Sequence, residues 1–202
     1  MSEIKYSLEE EKVVVLGGSF DPIHKAHLNI ALESAKQVGA KKAIFVPAHI
    51  SPLKDFSPKA SDADRLAMLR LALEDFEIDS EICTYELEAK DISYSINTAK
   101  FLLKTYKNIY WIIGTDQYMQ LHKWKDIQEL SKLISFVLVQ RPTYNNHNLN
   151  LPLDINIKPI ISTPTTISST SIREDLAKKK FLNVEIPSKL VLYIKENNLY
   201  QK

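Results

Sequence analysis

The chain has 202 residues, 45% of them hydrophobic, which suits one domain with a sizeable core and room for a small lobe. A formal net charge of +1, with charges spread throughout, gives no basic stripe for nucleic acid and no acidic tail. The single cysteine, Cys83, excludes an internal disulfide and fits a reducing, cytoplasmic setting, and no apolar run approaches the ~20 residues that span a bilayer.

Residues 1–11 read as a polar leader without the apolar stretch of a secretory signal, and residues 12–202 as a single domain. The first strand is Lys12–Leu16. It runs into Gly17-Gly18, a short turn with Ser19, Phe20, Asp21 and Pro22, and then His24 and His27. Leu28, Ala31, Leu32, Ala35 and Val38 recur at helical spacing, and Gly39 stops that helix. Lys42–Val46 is the second strand. The loop from Pro47 to Ala60 carries Lys54 and Lys59 and leaves the carboxyl edge of the sheet, where ligands are met.

Ser61 and Asp64 have capping-box spacing, and the helix they open should bury Leu66, Leu69, Leu73 and Phe76, with Arg65 and Arg70 on its wet face. A third strand, holding Cys83 as a core residue, is expected over Glu81–Leu87. Ser93-Tyr94-Ser95 precedes a helix with Ile96, Ala99, Leu103 and Tyr106 inward. The fourth strand, Ile109–Ile113, ends in Gly114-Thr115-Asp116. His122, Lys123 and Trp124 follow, and Ile127, Leu130 and Leu133 mark a short helix. Tyr110, Trp111 and Tyr118 read as packing residues. Ile134–Val139 is the fifth strand, Lys158–Ile161 a short sixth. Ser168-Ser169-Thr170-Ser171 opens a helix carrying Arg173, and Pro187 starts a last helix burying Leu190, Tyr193 and Ile194.

Strands alternating with helices argue an α/β fold: a Rossmann-like, doubly wound parallel sheet with helices on both faces. In strand order 3-2-1-4-5 with a short sixth strand, ligands bind where the order reverses, between strands one and four. Those are the strands ending in Gly17-Gly18 and Gly114-Thr115-Asp116. A helix's first turn attracts anions through unpaired N–H groups and its dipole, glycines allow close approach, and imidazoles hydrogen-bond phosphate oxygens. The string from Gly17 to His27 therefore suits nucleotide phosphates. Metal ligation by the two histidines finds no cysteine or carboxylate at ligand spacing. The hydroxyls before Arg173 suit either a helix cap or a second phosphate cradle.

Gly17, Gly18, Phe20, Asp21, Pro22, His24 and His27 match the G-G-x-F-D-P-x-H-x-G-H signature, so the chain resembles the adenylyltransferase and cytidylyltransferase superfamily; Ala26 stands where that signature has Gly. Ile167–Arg173, ISSTSIR, is similar to the same superfamily's I-S-S-T-x-I-R element. IIGTDQYMQLHKWKDIQEL, the Ser93-Tyr94-Ser95 segment, the loop at Ser51–Lys54 and the closing IPSKLVLYIKENNLY resemble bacterial nicotinate-nucleotide adenylyltransferases, with Asn97 where many members have Asp. The resemblance implies His24, His27 and Arg173 as catalytic residues. It implies ATP at Gly17, Gly18, Ser19, Phe20, His24, His27, Gly114, Ser168, Ser169, Thr170 and Arg173. Nicotinate mononucleotide would take Gly18, Lys54, Tyr94, Ser95, Asp116 and Trp124, with Trp124 on the pyridine ring and Asp116 on sugar hydroxyls. The expected reaction is adenylyl transfer from ATP to nicotinate mononucleotide, with Mg²⁺ arriving with ATP and no nucleic-acid or membrane partner. Nicotinamide mononucleotide or pantetheine phosphate as acceptor, or a nucleotide-binding regulator without catalysis, are the alternatives. Monomer and homodimer both stay open.

Overall fold

The computed structural model describes residues 11–53, 57–139, 155, 157–160, 167–181 and 185–201. Six strands form one sheet: β1 (Lys12–Gly18), β2 (Lys42–Pro47), β3 (Asp79–Ile82), β4 (Asn108–Gly114), β5 (Ser135–Val139) and β6 (Ile157–Ile160). All neighbours pair parallel in the order β3-β2-β1-β4-β5-β6. The order reverses between β1 and β4, as expected for a doubly wound sheet.

Strand residues alternate in direction, so β1 feeds two cores. Val14 and Leu16 join α1 (Lys25–Val38), α2 (Asp62–Leu73), α7 (Ser169–Ala177) and α8 (Ser188–Glu196) on one face, through Ala31, Met68, Ile172 and Leu190. Val13 and Val15 join α4 (Ser95–Leu102) and α6 (Ile127–Leu133) on the other, through Ile96, Ala99 and Leu130. Two short helices, α3 (Tyr85–Ala89) and α5 (Thr115–Met119), and a 3₁₀ turn at Leu121–Lys123 are the remaining elements among the described residues. Burial on both faces explains why β1 and β4 read as continuous apolar runs.

The Gly17-Gly18 pair and Gly114 belong to the strand tips. Gly17 and Gly18 continue the β1 ladder opposite Val46 and Pro47, and Gly114 pairs with Val139. A Cβ on Gly18 would sit 3.3 Å from the Phe20 ring, so the glycine lets that ring fold back beneath the turn. Gly39 ends α1 in the left-handed region at φ +72°, the conformation that favours glycine.

Several expectations need correction. The third strand stops at Ile82, and Tyr85–Ala89 is helix. Glu, Leu and Ala are good helix formers, and an edge strand offers too few partners to override them. Cys83 lies just beyond the strand, buried, its N–H donating to Phe45 O. In α2 the inward positions are Arg65, Met68, Leu69 and Ala72, while Leu66 and Leu73, and Phe76 beyond the helix end, are half-buried. Arg65 is therefore not on the wet face but fully buried, whereas Arg70 is exposed. In α4, Leu102 is buried and Leu103 half-buried. Tyr193 in α8 is likewise half-buried. The box at Ser61 is half formed: its hydroxyl accepts from Asp64 N–H at 3.1 Å, but donates to the Asp64 carboxylate at 2.5 Å. Residues 1–10 of the leader, Lys54, and the segment 140–154 lie outside the described residues.

Candidate active site

A cavity of about 770 Å³ opens above the carboxyl ends of β1 and β4. Gly17, Gly18, Ser19, Phe20, His24 and His27 line it from the β1 side. Ser168, Ser169, Thr170 and Arg173 come from the start of α7. Gly114 and Asp116 come from the tip of β4, and Tyr94, Ser95 and Trp124 close the far end. Each described residue assigned from the sequence to catalysis, ATP or the acceptor thus faces one space, while Lys59 and His122 do not line it and Lys54 lies outside the described residues. Ala26 also lines the cavity and is buried, so a methyl group fits where the signature has Gly. Trp111, read as a packing residue, is buried and also forms part of the cavity floor.

The two imidazoles are stacked, with ring centroids 3.7 Å apart and planes at 23°. His24 caps α1 and is 5% exposed. Its backbone N–H donates to His27 Nδ1 at 3.3 Å, which leaves Nε2 to carry the proton of a neutral His27 ring. Phe20, at φ +46°, presents its ring edge-on to His27 at 5.2 Å. Both rings are thereby aimed from a fixed backbone.

The start of α7 joins this turn directly. Ser169 Oγ donates to Pro22 O at 3.0 Å. Arg173 donates to Asp21 O at 2.7 Å and to Thr170 Oγ1 at 3.2 Å. Ser168 caps the helix, accepting from Ser171 N–H at 3.1 Å. The cap and cradle readings are therefore compatible, since the cap builds the turn that faces the cavity. Arg173 pairs with neither Glu174 nor Asp175 among the described residues; its carboxylate neighbour is Asp21, at 3.7 Å.

Asp21 has a larger place than its turn-opening sequence suggests. Only 4% exposed, it accepts from Lys59 N–H at 2.7 Å, Ala60 N–H at 3.0 Å and the Tyr200 hydroxyl at 2.8 Å. Burial and then the Asp21 charge push the Tyr200 phenol far above its ordinary range, so it stays a donor. The carboxylate thus links the β1 turn, the loop before α2, α7 and the C-terminal segment.

At the far end, Trp124 is half-buried and makes a T-shaped pair with Phe136, at 6.2 Å and 76°. Tyr94 carries the Lys125 ammonium 4.5 Å above its ring. Glu86, missed because its segment was assigned to a strand, is buried on the cavity wall and accepts from Thr98 Oγ1 at 2.5 Å. Burial raises its pKa, and hydrogen bonds from Thr98 and Ser93 partly offset this. Burial also raises the Cys83 thiol. No group of three His, Cys, Asp or Glu side chains that could hold a metal occurs among the described residues. Nor does any helix of those residues have the length and apolarity to cross a membrane.

Glycine-tipped strands at a sheet's switch point, with paired imidazoles and a Ser-Thr-Arg turn lining one cavity, mark a Rossmann-like α/β protein with its cavity at the carboxyl edge of the sheet. The chain belongs to the cytidylyltransferase-like family, whose family model matches residues 15–175, and within it to the nicotinate-nucleotide adenylyltransferases. It is 38% identical over 192 residues to a protein of Staphylococcus epidermidis, covering 94% of this chain and 97% of that one. It is 41% identical over 199 residues to one of Listeria innocua, covering 96% and 99%. Both are described as probable nicotinate-nucleotide adenylyltransferases. Among solved structures, Plasmodium falciparum nicotinic acid mononucleotide adenylyltransferase complexed with NaAD has the same fold, with a TM-score of 0.70 at 20% identity, covering 94% of this chain and 97% of that one.

Proposed function

We propose that the chain transfers the adenylyl group of ATP to nicotinate mononucleotide, giving nicotinate adenine dinucleotide and pyrophosphate. The observation that carries this reading is the meeting of two distant segments: Arg173 and Ser169 bond the backbone of the turn that delivers His24 and His27. A cationic, hydrogen-bonding floor results, next to a separate aromatic end at Trp124 and Tyr94. The likeness to the relatives named above supports the same acceptor.

An oxygen of the acceptor's 5′-phosphate attacks the α-phosphorus in line, forming one P–O bond. The bond to the bridging oxygen breaks, and pyrophosphate leaves with that electron pair. The attacking phosphate is already anionic at pH 7, so no protein nucleophile is required. The chain supplies alignment and charge stabilisation. His24 and His27 hold the bridging phosphates, Arg173 steadies the departing pyrophosphate, and Asp116 and Trp124 hold sugar and ring. Lys54 is assigned to the acceptor side. The groups assigned to the phosphates are imidazole, hydroxyl and guanidinium, so Mg²⁺ is assigned to the substrate MgATP. Residues 12–202 act as one domain on small-molecule substrates.

Purified protein given MgATP should release pyrophosphate and form a dinucleotide with nicotinate mononucleotide. Nicotinamide mononucleotide and pantetheine phosphate should be poorer at equal concentration. A preference of less than a few-fold would overturn the acceptor assignment, and ATP binding without any pyrophosphate release would overturn the enzymatic one.

A further inference from the structure

We infer that His49, Asp62 and Arg65 form a relay of positioning residues that holds the acceptor-side turn Ser93–Ser95 at a fixed distance from the phosphate loop Gly17–Asp21. The inference rests on the adenylyl-transfer reading for its functional meaning. Its structural basis is a continuous run of bonds behind the cavity wall. Arg65, 0% exposed, donates through one guanidinium nitrogen to Ser19 O at 2.5 Å and through the other to Asp62 Oδ1 at 2.6 Å. The other Asp62 oxygen meets His49 Nδ1 at 2.5 Å. The backbone N–H of His49 donates to Ser93 Oγ at 2.9 Å, and Ser93 N–H returns a bond to Ile50 O at 2.9 Å.

A buried guanidinium must be paired, and Asp62 supplies the charge. Burial pushes the Asp62 carboxyl up, but hydrogen bonds from Arg65 and His49 outweigh it and hold the group below the usual range, so it remains an anion. None of the three side chains lines the cavity, whereas Ser19, Ser93, Tyr94 and Ser95 do. The relay therefore acts through others. It spans the loops after β1 and β2 and the turn before α4, all at the sheet's carboxyl edge, where connections are most deformable. In-line transfer needs the acceptor phosphate and the α-phosphorus held in register, and misplacement by about 1 Å costs on the order of 10²-fold.

His49→Leu keeps bulk and removes the Nδ1 contact, while His49→Asn places an amide nitrogen near the Nδ1 position. With both substrates saturating, His49→Leu should lower kcat about tenfold or more, and His49→Asn should recover most of it. Dissociation constants for each substrate alone should move by less than about twofold, because each half-site stays intact. Ser93→Ala, which cuts the relay at its other end, should lower kcat as His49→Leu does and serves if His49→Leu does not fold; because Ser93 also lines the cavity, only its kcat is read. Unchanged kcat in the variants would overturn the relay. So would equal losses in His49→Leu and His49→Asn, or a loss confined to single-substrate affinity. Wild-type protein run in parallel separates the two readings, since its failure to turn over nicotinate mononucleotide would overturn the function and not the bracing.

Discussion

At the β1 end of the cavity, Asp21 alone gathers two backbone N–H groups, a tyrosine hydroxyl and a neighbouring guanidinium. At the far end, Tyr94 and Trp124 are half-buried and meet Lys125 and Phe136 through ring faces and edges. The first end is braced in advance of substrate; at the second the relay holds the backbone at Ser93, and the half-buried rings of Tyr94 and Trp124 are left to adjust. Preorganised donors lower a barrier because they need no reorganisation as charge moves. A compliant aromatic end contributes mainly to holding and choosing the acceptor. Variants at the two ends should therefore fail in different kinetic parameters.

The sharpest test of that division is His24→Ala. On the braced side it should reduce kcat by roughly 10²–10³-fold, the scale of losing one preorganised donor, while the ATP dissociation constant changes only a few-fold. Equal losses in kcat and ATP affinity would erase the distinction. Next in size is Asp21→Asn, read as stability rather than rate. An amide can accept from only one of its two polar atoms, so one N–H donor at Lys59 or Ala60 is left facing an NH₂ group. The cost should be about 2 kcal/mol, seen as a lower urea midpoint at unchanged slope. A variant as stable as the wild type would show that the hub is not what holds this end together.

The same contrast explains what the sequence disclosed. The sheet and its switch point were legible because β1, β2, β4 and β5 carry apolar runs ended by glycine, proline or polar turns. The paired imidazoles and the later Ser-Thr-Arg turn were legible as strings of unusual residues. What stayed hidden depends on partners far away in the chain. Asp21 reads as a turn opener until Tyr200 and Arg173 arrive beside it. Arg65 reads as a solvated helix residue because its type is almost never buried, and only Ser19 O and Asp62 make burial tolerable. Glu86 was missed for a local reason: a short edge strand gives way to a helix within three residues.

On the compliant side, Trp124→Ala should raise the KM for nicotinate mononucleotide about tenfold, equivalent to about 1.4 kcal/mol of lost ring contact. The kcat should stay within about twofold of the wild type, since the braced phosphate floor is untouched. A fall in kcat with little change in KM would move Trp124 to the other side of the division.

The smallest expected effect comes from Lys125, whose exposed ammonium lies over Tyr94 at the ring end. A carboxylate on the pyridine ring feels that charge and a carboxamide does not. In water the attraction at about 4 Å is only ~1 kcal/mol, and salt screens it. Lys125→Met should therefore lower the nicotinate-over-nicotinamide ratio of kcat/KM by about threefold at low salt. The wild-type ratio should itself fall as salt rises, while the Met variant's ratio stays flat. Ratios that match at every salt concentration would assign acceptor choice to backbone donors near Ser95 and Trp124, whose contribution to an exposed site is short-ranged and insensitive to screening.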